Sequence, residues 1–245
     1  MGYAVVRNSS LASLNAAAAH GRCLEFLAAM PSAHVTELLK LIPHSQAQLR
    51  QDFFVLSELG LKRGGFFVEF GAASGKELSN TWLLEKHFGW KGILAEPARC
   101  WHAALAANRS CIIEHDCVWK STGDQLEFLE SPQPELGTLA GFQGVDGHAK
   151  ARESSKRYRV RTVSLGDLLA RHQAPAELDY LSIDTEGSEF EILQSVDFAK
   201  HRFKTITCEH NYTSAREKIH ALLKAAGYVR KYEGLSDFDD WYVLA

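Results

Sequence analysis

The pattern of apolar and polar residues is most distinct between residues 66 and 88. Phe66 to Phe70 is a short apolar run of strand-forming residues, and the small residues from Gly71 to Gly75 interrupt it. From Glu77 to Phe88 the apolar residues recur at the spacing of one helix face. The pattern predicts a buried strand, a glycine turn and a helix, which together open a nucleotide-binding α/β fold.

Further strands are predicted where other apolar runs end in turn residues or polar residues. They cover residues 90–97, 111–114, 178–183, 203–209, 228–232 and 240–244, of which the last two form an antiparallel hairpin. Helical patterns separate most of these runs. We therefore predict an α/β fold with a mostly parallel seven-stranded sheet and helices on both faces.

The N-terminal part of the chain carries helical patterns only. Helices are predicted at about residues 9–30, 32–41 and 46–59, because serines precede them and Pro31 and Gly60 end two of them. The predicted domains are a helical extension or cap at residues 1–62 and a larger domain at residues 63–245. The extension either covers a sheet edge or closes over a substrate.

Composition narrows the class of protein. The chain has 245 residues with a net charge of -3, so it presents no electrostatic reason to bind nucleic acid or an anionic membrane. No segment approaches the roughly 20 apolar residues that a membrane helix needs. The five cysteines form no Cys-x-x-Cys pair, and a reduced cytoplasmic setting is the simplest interpretation. Self-association stays open.

The glycine turn and the next strand together predict the ligand. The spacing is Gly-x-x-x-Gly, from Gly71 to Gly75, rather than the Gly-x-Gly-x-x-Gly of a pyrophosphate site. The next strand ends in Glu96, which Pro97 follows. An acidic residue at that position accepts hydrogen bonds from ribose hydroxyls. These features indicate an adenosine-bearing ligand without a diphosphate, of which S-adenosylmethionine is the common one.

Several motifs occur together in this chain, at Glu69 to Gly75, Ser79-Asn80-Thr81, Leu84-Glu85, Gly89 to Ile93, Glu96-Pro97, Leu178 to Glu189, Cys208 to Asn211 and Phe238 to Val243. In combination they resemble the FkbM-type family of S-adenosylmethionine-dependent methyltransferases. The resemblance implies a class I methyltransferase (Rossmann-like) fold and methylation of oxygen on natural products, sugars or polysaccharides. One departure is Ala73, which stands where many methyltransferases have the middle glycine of the first motif.

The resemblance also implies a cofactor site. Its predicted residues are Glu69, Gly71, Ala72, Ser74, Gly75, Asn80, Thr81, Glu96, Pro97, Asp116, Cys117 and Asp184. Asp116 follows the third strand, where family members bond the adenine amino group, although it could simply cap a turn.

Polar residues end the fourth and fifth strands, which the fold makes neighbours. Asp184 ends one of them, and Glu209-His210-Asn211 ends the other. Asp184 and His210 are the catalytic candidates, with His210 as a general base for a hydroxyl acceptor. Alternatively Asp184, Glu209 and Asn211 hold Mg²⁺ or another divalent cation, which would lower the pKa of that hydroxyl. A purely structural role for these residues is the competing interpretation.

A turn-rich stretch at residues 137–157 is predicted to be mobile without ligand and to order over the acceptor. The basic residues in and after it are Lys150, Arg152, Lys156, Arg157, Arg159 and Arg161. They form either a solvated edge or a site for an anionic group of the acceptor.

Three function classes follow from these observations. The leading one is an S-adenosylmethionine-dependent O-methyltransferase with a small-molecule or saccharide acceptor. The alternatives are a methyltransferase-like binding module without catalysis and a Rossmann-type NAD(P)-dependent oxidoreductase, which the glycine spacing disfavours.

Overall fold

In the computed structural model, which describes Gly21 and residues 24–245, the apolar runs form the strands of one large sheet. The strands of the described residues are, in chain order, β1 (Phe66–Phe70), β2 (Lys91–Ala95), β3 (Ile112–Glu114), β4 (Cys117–Trp119), β5 (Gln125–Glu130), β6 (Thr138–Leu139), β7 (Lys156–Ser164), β8 (Leu178–Ile183), β9 (Phe203–Glu209), β10 (Tyr228–Lys231) and β11 (Asp239–Leu244). The α-helices are α1 (Ser32–Leu41), α2 (Gln51–Glu58), α3 (Trp82–Phe88), α4 (His102–Asn108), α5 (Leu165–Arg171), α6 (Glu189–Gln194) and α7 (Ala215–Ala225).

The main sheet has seven strands in the order β10-β11-β9-β8-β1-β2-β3. The pairs β1/β2, β2/β3, β1/β8 and β8/β9 are parallel, whereas β11 is antiparallel to both of its neighbours. All six residues of β8 are buried, as expected for a strand at the centre of a sheet covered by other elements. A mixed α/β fold is therefore confirmed.

A second sheet of four strands was not predicted. Its order is β4-β7-β5-β6, and the antiparallel pairing of β5 with β7 runs from Gln125 opposite Arg161 to Glu130 opposite Lys156. Val118 and Val163 from this sheet pack into the same apolar core as the main sheet. Residues 125–130 and 156–164 are thus ordered by pairing between residues that are distant in the sequence, and a local sequence pattern does not reveal such pairing.

Helix α3 begins later than predicted. The pattern from Glu77 predicted a helix, but the helix starts at Trp82. The reason is the buried carboxylate of Glu69, which accepts a hydrogen bond from the backbone N–H of Asn80 at 2.9 Å. This bond stabilises an irregular turn before Trp82 in place of a helix. Leu78 has a positive φ of 62° in this turn.

The chain divides into two compact units between His44 and Ser45. In the first, residues 24–29 are helical and α1 follows Pro31, which agrees with the predicted stop. The start predicted near Ser9 lies outside the described residues. Residues 45–62, with α2, group with the larger unit, so this division differs from the predicted boundary after residue 62, and the domain assignment stays a prediction. No helix among residues 24–245 is both long and apolar enough to cross a bilayer.

Candidate active site

A cavity of about 370 Å³ lies where β1, β2, β8 and β9 end at their carboxyl sides. Ligands of open α/β sheets bind at this edge. Seven carboxylate side chains line the cavity, and among the described residues no Lys or Arg does; the seven are Glu69, Glu77, Glu96, Glu135, Asp184, Glu186 and Glu209. The cavity is therefore suited to ligands with a positive charge or with hydrogen-bond donors.

The glycine turn brings the ends of β1 and β8 together. Gly71 has a φ of 73°, and a Cβ atom at this residue would lie 1.8 Å from the carbonyl oxygen of Asp184. Only glycine tolerates both the conformation and the approach. Of the predicted turn residues, Gly71 and Ala72 line the cavity, whereas Ser74 and Gly75 do not. Gly75 instead packs against α4, where a Cβ would lie 2.5 Å from Leu105.

Glu96 faces the glycine turn from the end of β2. Its carboxylate accepts the N–H of Ala73 at 2.8 Å and the N–H of Ala98 at 2.7 Å. Burial, with a smaller contribution from the negative charge of Asp184, raises the pKa of Glu96 to about 7, although the two hydrogen bonds oppose the shift. The residue lines the cavity together with Pro97, and its bonds to ribose stay a prediction.

Glu69 lines the cavity and also holds the segment before α3 through hydrogen bonds. Its carboxylate accepts hydrogen bonds from Asn80 N, from the hydroxyl of Ser79 at 3.2 Å and from the hydroxyl of Thr81. The guanidinium of Arg109 lies 3.8 Å away and also donates to Thr81 at 2.8 Å. Glu69 and Asn80 line the cavity, but Thr81 does not.

Asn80 carries an unsatisfied atom in the cavity wall. Its side-chain nitrogen donates to the hydroxyl of Ser182 at 2.9 Å. Its side-chain oxygen is buried and accepts no hydrogen bond from the described residues. Buried polar atoms in native proteins are nearly always paired, so this oxygen is available to a donor from a ligand or from an ordered water.

The structure places two neighbouring predicted cofactor residues, Asp116 and Cys117, in different surroundings. Cys117 lines the cavity and forms an apolar wall with Ala98, Phe128 and Leu139. Asp116 lies outside the cavity, where its carboxylate accepts hydrogen bonds from Arg161 and Arg171, both at 3.0 Å. The geometry therefore offers no support for Asp116 as an adenine ligand, and these long-range ion pairs could not be read from the sequence.

Asp184, Glu186 and Glu209, here called the acidic cluster, meet at the floor of the cavity. One carboxylate oxygen from each residue lies within 4.8 Å of those from the other two. Burial raises the pKa of Asp184 to about 7 and that of Glu186 to about 9, and it holds the pKa of Glu209 well above its ordinary value. Negative charge on the neighbouring carboxylates contributes to the shifts of Glu186 and Glu209.

The acidic cluster joins two predicted residues, Asp184 and Glu209, to one that was missed. Asn211 lines the same cavity. Glu186 was not among the predicted ligands, although the acidity of residues 184–189 at the mouth of a cleft was a visible signal. The carboxylate of Glu189 holds this turn, because it accepts the N–H groups of Thr185 and Gly187 at 2.9 and 3.0 Å.

His210 is buried beside the C-terminal hairpin and does not line the cavity. Its Nδ1 accepts the N–H of Tyr212 at 3.0 Å, and its Nε2 lies 3.8 Å from the carboxylate of Asp240. Burial lowers the pKa of His210, while Asp240 opposes that shift. The structure thus separates the two catalytic candidates, and only Asp184 faces the cavity.

The segment from Pro134 to Arg152 forms a second wall. Arg152 is fully buried and pairs with both carboxylate oxygens of Asp146, at 2.8 and 2.9 Å, and with Glu186 at 2.7 Å. It also donates to the carbonyl of Leu136 at 2.8 Å. Arg152 therefore connects this wall to the acidic cluster.

The basic residues predicted as an anion site do not line the cavity. Lys156 pairs with Glu130 at 3.4 Å, and Arg157 pairs with Glu127 at 3.0 Å. Arg152 is engaged as described above. Among the described residues, the cavity therefore offers an anionic acceptor no Lys or Arg.

The comparisons with known proteins identify one family. The chain matches the FkbM methyltransferase domain over residues 69–230. No curated protein matches the chain.

Solved structures that resemble it include an FkbM methyltransferase from Methylobacillus flagellatus KT, with a TM-score of 0.45 and 14% identity. The similarity covers 75% of this chain and 45% of that protein, so the chain spans less than half of its relative. A precorrin-6y C5,15-methyltransferase from Geobacter metallireducens GS-15 has a TM-score of 0.40 and 13% identity, covering 78% of this chain and 85% of that one.

Proposed function

Because the chain belongs to the FkbM methyltransferase family, we propose that it transfers a methyl group from S-adenosylmethionine to a hydroxyl oxygen. The acceptor is a small molecule, a sugar or a natural product. We further propose that the seven-stranded sheet is that of a class I methyltransferase, with the cofactor at the carboxyl ends of β1 and β2.

The observation that carries this proposal is the position of Glu96. Two backbone N–H groups hold its carboxylate at the end of β2, and its remaining lone pairs are available to the two ribose hydroxyls. The apolar wall around Cys117 suits an adenine ring, and the unpaired oxygen of Asn80 suits the ammonium group of the cofactor. The donors and acceptors present thus match S-adenosylmethionine.

The bound cofactor supplies an electrophilic methyl group on a sulfonium. The chain itself must position the acceptor hydroxyl in line with that methyl group and take up the hydroxyl proton. The acidic cluster lies at the same cavity and provides oxygen atoms for this proton. Since carboxylates line the cavity without any Lys or Arg among the described residues, the proposed acceptor is neutral or cationic.

Calorimetric titration of S-adenosylmethionine into Glu96→Ala tests the cofactor site. The variant should bind more weakly by roughly 2–4 kcal/mol, since it loses hydrogen bonds to a charged acceptor. That corresponds to a dissociation constant about 30 to 1000 times larger. Glu217→Gln is the control, because Glu217 is an exposed carboxylate on α7 that does not line the cavity, and the variant should leave the affinity unchanged.

Two further outcomes separate the alternatives. Thermal stabilisation by NAD but not by S-adenosylmethionine would favour an oxidoreductase. Tight binding of S-adenosylmethionine without transfer of its labelled methyl group to any hydroxyl compound in a broad panel would favour a non-catalytic binding module.

A further inference from the structure

The acidic cluster has the composition and the spacing of a cation site. All of its available ligand atoms are carboxylate oxygens, and they lie within 4.8 Å of one another. Oxygen ligands sit about 2.0–2.6 Å from Mg²⁺ or Ca²⁺, so ligands on opposite sides of one ion are about 4–5 Å apart. One ion can therefore reach all three residues.

A separate observation concerns the hydrogen bonds of Glu209. This residue is only 6% exposed and lines the cavity. Among the described residues, no backbone N–H, side-chain N–H or hydroxyl group donates to its carboxylate, whose neighbours include the carboxylates of Asp184 and Glu186. A buried carboxylate without any donor is costly unless a charge or a ligand compensates it.

The charged groups around the acidic cluster leave part of its negative charge without a partner. Among the described residues, Glu186 is the only member of the acidic cluster with a cationic partner, because one of its oxygens accepts a hydrogen bond from Arg152 at 2.7 Å. Asp184 and Glu209 have no such partner among the described residues. Two uncompensated carboxylates match the charge of one divalent ion.

From this geometry we infer that Asp184, Glu186 and Glu209 bind one hard divalent cation, Mg²⁺ or Mn²⁺. Arg152 orients Glu186 from outside the coordination sphere, as partners of metal ligands commonly do. Glu186 replaces Asn211 as the third protein ligand, and Asn211 stays within the same cavity.

The inference deepens the proposed function, on which the role of the ion rests. An ion at the cavity floor would lower the pKa of an acceptor hydroxyl beside it, and the hydroxyl proton would pass to a carboxylate oxygen of the acidic cluster that does not bind the ion. Binding of the ion itself does not depend on that role and can be measured without an acceptor.

Titration of the metal-stripped full chain with MnCl₂, followed by electron paramagnetic resonance of free Mn²⁺ and by calorimetry, tests the inference. We expect one Mn²⁺ per chain, displaced by excess Mg²⁺. Glu209→Gln and Asp184→Asn should each weaken Mn²⁺ binding at least 10-fold, because a neutral amide is a poorer ligand than a carboxylate. Glu217→Gln, which alters an exposed carboxylate on α7 that does not line the cavity, should bind Mn²⁺ like the unchanged chain.

Binding of S-adenosylmethionine is measured on the same samples. Folded wild-type protein that binds S-adenosylmethionine but no Mn²⁺ would overturn the cation site and leave the proposed function standing; the carboxylates would then share protons instead. Mn²⁺ binding without S-adenosylmethionine binding would overturn the proposed function and leave the cation site standing. Unchanged Mn²⁺ affinity in both cluster variants would also overturn the ligand assignment.

Discussion

At the scale of single residues, the site depends on a backbone contact that only glycine permits. Gly71 lies against the carbonyl oxygen of Asp184, and both residues line the cavity. Gly89 has a similar φ of 66° but no atom within 4 Å of the position of an added Cβ. The two glycines therefore separate the cost of a left-handed backbone from the cost of a steric clash.

Gly71→Ala should lower the free energy of unfolding by about 3 kcal/mol or more, while Gly89→Ala should lower it by about 1–2 kcal/mol. The common part is the left-handed conformation of an L residue. The excess comes from the clash with a backbone oxygen, which cannot rotate away. Urea denaturation of both variants measures the difference, and equal losses would mean that the ends of β1 and β8 separate easily.

At the scale of elements, one buried guanidinium holds the second wall of the cavity. Arg152 links the segment from Pro134 to Arg152 to the acidic cluster through Asp146 and Glu186. The hydroxyl of Thr138 adds a bond to the carbonyl of Glu186 at 2.9 Å. The structure thus shows this wall attached to the site at two points, whereas the sequence pattern predicted a mobile stretch at residues 137–157.

Arg152→Met should release this wall. Removing one partner of a buried ion pair costs about 3–5 kcal/mol, because the remaining carboxylates are left without their counter-charge. Limited proteolysis should then cleave faster within residues 134–152. Arg161→Gln is the matched control: the guanidinium is more than half exposed in its ion pair with Asp116, which lies outside residues 134–152, so its loss should cost about 0–1 kcal/mol. Identical cleavage of the two variants would show that Arg152 does not hold the wall.

At the scale of the whole molecule, buried carboxyl groups with raised pKa values gather around the cavity. Burial raises the pKa of Glu96 to about 7 and that of Asp239 to about 8. Unfolding returns these groups to water, where they ionise near pH 4. The folded protein therefore holds more protons than the unfolded chain between those values, so its stability falls as pH rises.

In chelator and without cofactor, the free energy of unfolding should fall between pH 6.5 and pH 8, by up to about 1.4 kcal/mol per pH unit for each such group. The lowered pKa of His210 has the opposite effect, because the unfolded imidazole takes up a proton near pH 6.5, and it therefore weakens the trend only in the lower part of this window. Asp239→Asn removes one of the groups and should flatten the curve, which urea denaturation at several pH values measures. A variant curve parallel to that of wild type would mean that Asp239 ionises normally in the folded state.

The sequence by itself determined the strands of the main sheet and the residues at their ends. Runs such as residues 66–70 and 178–183 are apolar because both faces of a central strand are covered, and this pattern is local. Glu96, Asp184 and Glu209 could be placed at one edge of the sheet for the same reason. Family motifs then linked that edge to methyl transfer.

Only the tertiary structure decided which side chains face the cavity. The orientation of the His210 side chain depends on Asp240, and that of Asp116 depends on Arg161 and Arg171. Each of these partners is distant in sequence from the residue that it orients. The role of Arg152 likewise depends on Glu186, 34 residues away. Ion pairs between separate elements leave no periodic trace in a chain, because burial and pairing of a charged side chain are settled by the fold around it.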